Sequence, residues 1–237
     1  MIRTTLILGA LIFSNLLFAQ TNWSDSVSVG FLLGQTTYEK DARFILVPSN
    51  RSTKTCYLLK EVNTAFDEMA KAAQKDGISL KVVSGGRNFE MQKSIWERKW
   101  KSRRPNFKSD METALDILKF SSMPGTSRHH WGTDLDINSV DPAYFAAGKG
   151  KVEYEWLKKN AASFGFCQTY DNKSVSNRTG YSEEKWHYTY MPISNKLIEQ
   201  YNKKITSDQI TGFLGSSTAK EIDVVKFYVN GISPLCK

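Results

Sequence analysis

Two hydrophobic rhythms alternate along the chain. From Leu58 to Asp76 the apolar residues Leu58, Leu59, Val62, Phe66, Met69 and Ala73 recur at helical intervals, and Gly77 ends the run; the spacing predicts a helix. ISLKVVSG (78–85) then alternates and runs into Gly85-Gly86, which predicts a strand entering a tight turn at Arg87. NFEMQKSIWERKW (88–100) returns to helical spacing, and Ser109 with Glu112 forms a capping-box pattern opening a helix through about Phe120. After the loop SSMPGTS (121–127), GTDLDIN (132–138) alternates like a strand. Glu153 to Phe164 reads as an amphipathic helix stopped by Gly165, and EKWHYTYM (184–191) as a strand. The tail from Ser194 predicts two helices, the last capped by Thr218 with Glu221 and ending near Asn230-Gly231. Helices and strands mix without the regular alternation of a parallel α/β protein, so the expected class is α+β: a small central antiparallel sheet flanked by helices.

The first twenty residues depart from both rhythms. MIRTTLILGALIFSNLLFAQ has one positive charge at Arg3, an apolar run from about Leu6 to Phe18 and a small residue at Ala19, the pattern of an export signal cut near Ala19 or Gln20. The run is shorter than the roughly 20 apolar residues a spanning helix needs. The expected organisation is therefore a signal peptide (1–20), a leader and loop region (21–45), and one domain (46–237) with a C-terminal helical extension. The mature protein is expected to be exported to a periplasm or the exterior, without stable membrane insertion. Composition is that of an ordinary globular chain, 41% hydrophobic and 24% charged. The net charge of +8 falls to +7 once Arg3 leaves. That basic balance suits an anionic envelope polymer; export and the lack of any binding motif argue against nucleic acid. The densest basic cluster, KWKSRRPNFK (99–108), reads as a solvated helix end and loop. Cys56, Cys167 and Cys236 fit no zinc knuckle or redox motif and predict one disulfide and one free thiol, with the pairing open.

Only three histidines occur in 237 residues. His129 and His130 sit together in SRHHWGTDLDIN (127–138), just ahead of Asp134 and Asp136, and His187 lies in EEKWHY, three residues after Glu184. Histidine confined to two clusters, each beside acids, points to metal ligands.

The order SGGRNFEMQ, SRHHWGTDLDI, EEKWHYTY resembles the D-Ala-D-Ala carboxypeptidase family of zinc peptidases, which includes VanY-type and VanX-type enzymes. Its central motif S-x-H-x-x-G-x-x-x-D is matched by Ser127, His129, Gly132 and Asp136, and its last motif E-x-x-H by Glu184, Trp186 and His187. Arg87 matches the arginine that follows a strand and a glycine turn, and the likeness covers roughly residues 55–192. The resemblance implies one Zn²⁺ held by His129, Asp136 and His187, with Glu184 as general base. It implies Arg87 as the group holding the substrate carboxylate or the developing oxyanion, and Ser127 as a substrate contact or a shaper of its loop. Residues 184 and 187 would point to opposite faces of a regular strand, so Glu184 is expected in the preceding loop or at a bulge. Asp134 replaces the family's small or apolar residue; it is expected to accept from a ligand histidine's free N–H, or else to compete as the ligand. His130 and Trp186 are further candidates for the shell around the ligands, His130 also for lining the pocket. The implied activity is hydrolysis of the terminal D-Ala-D-Ala bond of peptidoglycan stem peptides by a monomer. A dipeptidase or endopeptidase on the same polymer, and an inactive zinc-stabilised wall-binding module, are the alternatives.

Overall fold

A computed structural model describes Trp23 and residues 27–237; the export signal expected over residues 1–20 lies outside the described residues. In chain order the elements are α1 (Val29–Leu32), β1 (Phe44–Leu46), β2 (Tyr57–Leu59), α2 (Lys60–Lys75), β3 (Val82–Ser84), α3 (Phe89–Arg103), α4 (Asp110–Ile117), β4 (Asp134–Ile137), α5 (Gly148–Asn160), β5 (Phe166–Gln168), α6 (Lys173–Ser176), β6 (His187–Tyr190), α7 (Met191–Lys204) and α8 (Thr218–Ile222). Strands β3-β4-β6-β5 form one antiparallel sheet in that order, and β1 pairs with β2 in a two-stranded ribbon. This is the expected α+β architecture.

The central strand β4 is buried on both faces. Leu135 and Ile137 enter the hydrophobic core, while Asp134 and Asp136, also buried, share the other face. Its register with β6 sets Asp136 opposite His187 and Asp134 opposite Thr189. Directly opposed residues on one face bring their side chains together, so pairing two four-residue strands gathers acid and imidazole groups from distant parts of the chain. Helix α2 lays Val62, Phe66, Met69 and Ala73 into the core, and α7 adds Ile193, Leu197 and Tyr201. Trp96 of α3 is fully buried and donates its indole N–H to the Leu214 carbonyl at 2.8 Å, tying the tail to the body.

Several boundaries differ from expectation, each for a local reason. The region expected as leader and loop (21–45) is packed from Val27 onward: Phe31, Leu32, Tyr38 and Phe44 are buried. Trp131 also donates to the Leu32 carbonyl at 3.1 Å. A four-residue helix such as α1 is too short to display a period. Helix α5 starts at Gly148, five residues early, because two glycines in its first turn mask the helical signal. The last helix does not run from Thr218 to Asn230. It stops at Asp223, whose φ of 52° is left-handed, and resumes as a wide turn over Val225–Val229. Thr218 lies inside the helix and donates to the Gly215 carbonyl at 2.8 Å instead of capping. At α4, Ser109 does cap, accepting from the Glu112 N–H at 3.1 Å, but the Glu112 carboxylate accepts from Lys108 rather than from the cap residue. The single disulfide joins Cys167 to Cys236, and Cys56 is a buried free thiol.

Candidate metal centre and cleft

The loop before β4 separates two adjacent histidines. Ser127 leads into a tight helical turn over Arg128–Trp131, closed by Gly132 in the left-handed region at φ 68°. A Cβ there would stand 2.4 Å from Phe44 Cε1, so both the backbone angle and the packing require glycine. From this turn His129 points its Nδ1 at the Gly85 carbonyl, 2.8 Å away. A carbonyl only accepts, so Nδ1 carries the proton and the Nε2 lone pair is free. That Nε2 lies 3.5 Å from Asp136 Oδ1. His130 turns the other way: its Nδ1 donates to the Arg87 carbonyl at 2.6 Å and its Nε2 accepts from the Gly125 N–H at 2.9 Å. Both nitrogens are used, and burial lowers its pKa to about 3, so it stays neutral. The His130 ring therefore bonds neither Asp136 nor His187; it clasps the turn that bears Arg87.

His187 opens β6, and Glu184 lies in the turn just before it, closed by the His187 N–H donating to the Glu184 carbonyl at 3.3 Å. The expected strand over 184–191 thus begins only at His187, which lets residues 184 and 187 face the same point. His187 Nδ1 is 3.1 Å from Glu184 Oε2 and 3.5 Å from Asp136 Oδ1, while Nε2 donates to Asp134 Oδ2 at 2.9 Å. One ligand atom from each of His129, Asp136 and His187 lies within 4.8 Å of the others, and all three residues are buried. His129 Nε2 and Asp136 Oδ1 have no hydrogen-bond partner, which is costly for buried polar atoms unless something else satisfies them. Two imidazole nitrogens and one carboxylate oxygen are a donor set that fits zinc in a hydrolytic site.

The electrostatics follow from burial and neighbours. Burial pushes the Asp136 carboxyl up, but His129, His187 and Arg87 around it together outweigh this and bring it to about 2. Burial works against charge on His187, yet its hydrogen bonds to Asp134 and Glu184 outweigh that and raise its pKa to about 9. Burial raises Glu184 above the usual carboxylate value. Asp134 is also buried, and Arg128 and His187 hold it well below that value. Asp134 Oδ2 accepts from Arg128 Nε at 3.1 Å, and Oδ1 accepts from the hydroxyls of Thr189 at 2.7 Å and Thr133 at 2.9 Å. Asp134 is therefore the acceptor behind His187 and not a member of the ligand cluster. Arg128, which the sequence reading passed over, is fully buried and lies 5.0 Å over the Trp131 ring.

These groups open on a cleft of about 300 Å³ whose lining includes Arg87, Lys99, Asp136, Glu184 and Trp186. Arg87 is half-buried with its Nε unpartnered. Trp186 forms a wall, stacked on Phe145 at 6.2 Å, and bonds no ligand residue. Ser127 does not line the cleft; its hydroxyl is buried and unpartnered behind the turn. Lys99, placed by the sequence reading in a solvated basic cluster, faces the cleft instead. Its only signal was its position four residues after Ile95, another lining residue, on one face of α3.

An α+β body with a buried His–Asp–His cluster beside a cleft lined by both acids and cations is the class that fold and site define. Residues 55–193 match the family model described as VanY: D-alanyl-D-alanine carboxypeptidase, and the chain belongs to that family. It is 30% identical over 143 residues to a D-alanyl-D-alanine carboxypeptidase of Enterococcus faecalis, covering 59% of this chain and 51% of the relative. It is 30% identical over 152 residues to the putative carboxypeptidase YodJ of Bacillus subtilis, covering 62% and 50%. The chain thus spans about half the length of the curated relatives it matches. Its fold is similar to that of VanYB solved in complex with D-alanine-D-alanine, with a TM-score of 0.52 at 22% identity over 70% of this chain and 87% of the other. It is also similar to the LdcB LD-carboxypeptidase, with a TM-score of 0.51 at 24% identity over 69% and 74%.

Proposed function

We propose that this protein is an exported zinc-dependent carboxypeptidase that removes the terminal D-alanine from D-Ala-D-Ala ends of peptidoglycan stem peptides. The observation that carries the proposal is the convergence of two buried, unpartnered atoms, His129 Nε2 and Asp136 Oδ1, with His187 Nδ1, directly in front of the Glu184 carboxylate. Membership of a carboxypeptidase family supports the reaction class. Export rests on the sequence of residues 1–20; no helix among the described residues is long and apolar enough to cross a membrane.

The chemistry a zinc ion supplies at such a site is Lewis acidity, polarising a carbonyl and acidifying water near neutral pH. The chain's own residues do the rest. Glu184, its carboxyl raised by burial, accepts the proton of the attacking water and passes it to the leaving amine of D-alanine. Asp134 holds His187 Nε2–H, which fixes the tautomer and leaves Nδ1 as the ligand atom. Arg87, which lines the cleft, binds the C-terminal carboxylate, because a guanidinium presents a planar fork of donors matched to a carboxylate.

The test is zinc content and D-alanine release on a pentapeptide ending in D-Ala-D-Ala, for the protein and for Glu184→Gln. Both are expected to bind one zinc, with release falling by about 10²- to 10⁴-fold or more in the variant. Absence of zinc from the parent would refute the ligand assignment. Zinc without D-alanine release by the parent would transfer the site to another peptidoglycan bond or to a binding role.

A further inference from the structure

The cleft holds a second cation that the reaction above leaves without a task. Ile95 and Lys99 present the same face of α3 to the cleft. The Lys99 ammonium donates to the Ser121 hydroxyl, a nearly buried group also on the cleft wall. Among the described residues it makes no ion pair, whereas Arg103, one turn further on, is matched by Asp116. Burial, reinforced by Arg103 and Arg87, works against its charge and the Glu184 carboxylate only partly offsets this, so a further anion arriving in the cleft would relieve an unfavourable placement. Lys99 is not a duplicate of Arg87. Arg87 lies in the turn before α3, and Lys99 lies ten residues beyond the first helical residue, Phe89, roughly 15 Å along the helix axis. The two side chains are therefore rooted at separate points of the cleft wall, and an extended peptide, rising about 3.3 Å per residue, can offer each a carboxylate on a different residue.

We propose that Lys99 is a specificity-determining residue that binds a carboxylate on the acyl side of the scissile bond, making the enzyme prefer peptides with a side-chain carboxylate on the residue preceding D-Ala-D-Ala. This rests on the carboxypeptidase reading above. Two probes of equal size isolate it: acetyl-L-Glu-D-Ala-D-Ala and acetyl-L-Gln-D-Ala-D-Ala. The parent is expected to favour the glutamate peptide in kcat/KM by roughly three- to tenfold, the range of a partly desolvated ion pair. Lys99→Met is expected to bring that ratio to about one, and Lys99→Arg to keep it. Each protein serves as its own control, so a general loss of folded enzyme does not mimic the result. Equal rates in the parent, or a preference that survives Lys99→Met, would overturn the proposal. If the parent cleaves neither peptide, the carboxypeptidase reading fails. The ratio of the two peptides' Kd values for the zinc-loaded proteins then decides the role of Lys99 independently.

Discussion

Asp134 orders the site although it ligates nothing. Five groups converge on its carboxylate, from Arg128, Thr133, Thr169, His187 and Thr189, and the positive Arg128 makes a buried negative charge tolerable there. Through the His187 Nε2–H it decides which imidazole nitrogen faces Asp136. Asp134→Asn is therefore expected to weaken zinc binding about 10- to 100-fold, the usual cost of losing such a partner. Competition against a chromogenic chelator measures this, and an unchanged affinity would leave Asp134 only the task of balancing Arg128. At this scale the sequence is informative where a residue type is scarce. Three histidines in two acid-flanked clusters already point to the region where His129, Asp136 and His187 converge, and the pleat places Asp134 on the face of Asp136. Arg128 and Lys99 escape that reading because a cation's partner is a matter of tertiary contact. Arg128 meets Asp134 across a turn, and Lys99 meets a cleft wall contributed by other segments.

At the level of elements, the site depends on a turn and a register. Gly132 reverses the chain so that His129 and Asp136 aim at one point, and its left-handed backbone and contact with Phe44 leave no room for a side chain. Gly132→Ala combines backbone strain with a clash and is expected to cost about 2–4 kcal/mol. For a chain of this size that lowers Tm by roughly 4–16 °C. Thermal unfolding checks it, and in Phe44→Ala/Gly132→Ala the steric share should be recovered while the strain of the φ angle remains. The turn glycine and the long periodic helices α2, α3 and α7 were legible because each displays at least two turns of pattern or a residue with one structural use. Short strands were not bounded correctly. Tyr190 passes directly into α7, and Glu184–Trp186 is a turn although its sequence alternates. The early start of α5 and the break at Asp223 show the same limit from the helical side: glycine hides a real helix, and an aspartate able to adopt positive φ interrupts an apparent one.

For the whole molecule, the least legible feature was the bond between the tail and the loop that carries Glu184. The family likeness ends at residue 193, yet the C-terminal residues reach back to the strand that leads towards Glu184. Cys236 is bonded to Cys167 in β5. The Ser233 N–H donates to the Thr169 carbonyl at 2.9 Å, and its hydroxyl to Asp171 Oδ2 at 2.6 Å. Asp171 in turn accepts from Arg178 at 3.0 Å, and Arg178 donates to the Tyr181 carbonyl at 2.7 Å. The Glu184 N–H closes the circuit on the Tyr170 carbonyl at 2.8 Å. Composition predicted one disulfide, but three cysteines allow three pairings, and only the fold brings residues 69 apart in sequence to a Cα separation of 5.5 Å. A closed loop of that length contributes about 4 kcal/mol through the restricted unfolded chain. Cys236→Ser, or reduction of the parent, is therefore expected to lower Tm by roughly 8–16 °C. The proposed ligand residues lie on β4, β6 and the turn before β4, away from the tail, so zinc content below the transition should stay at one per chain. The proposed base, Glu184, lies on the tethered loop, so D-alanine release should fall before zinc is lost as temperature rises. Loss of zinc and activity together would show instead that the tail supports the sheet as a whole and not the loop that carries Glu184.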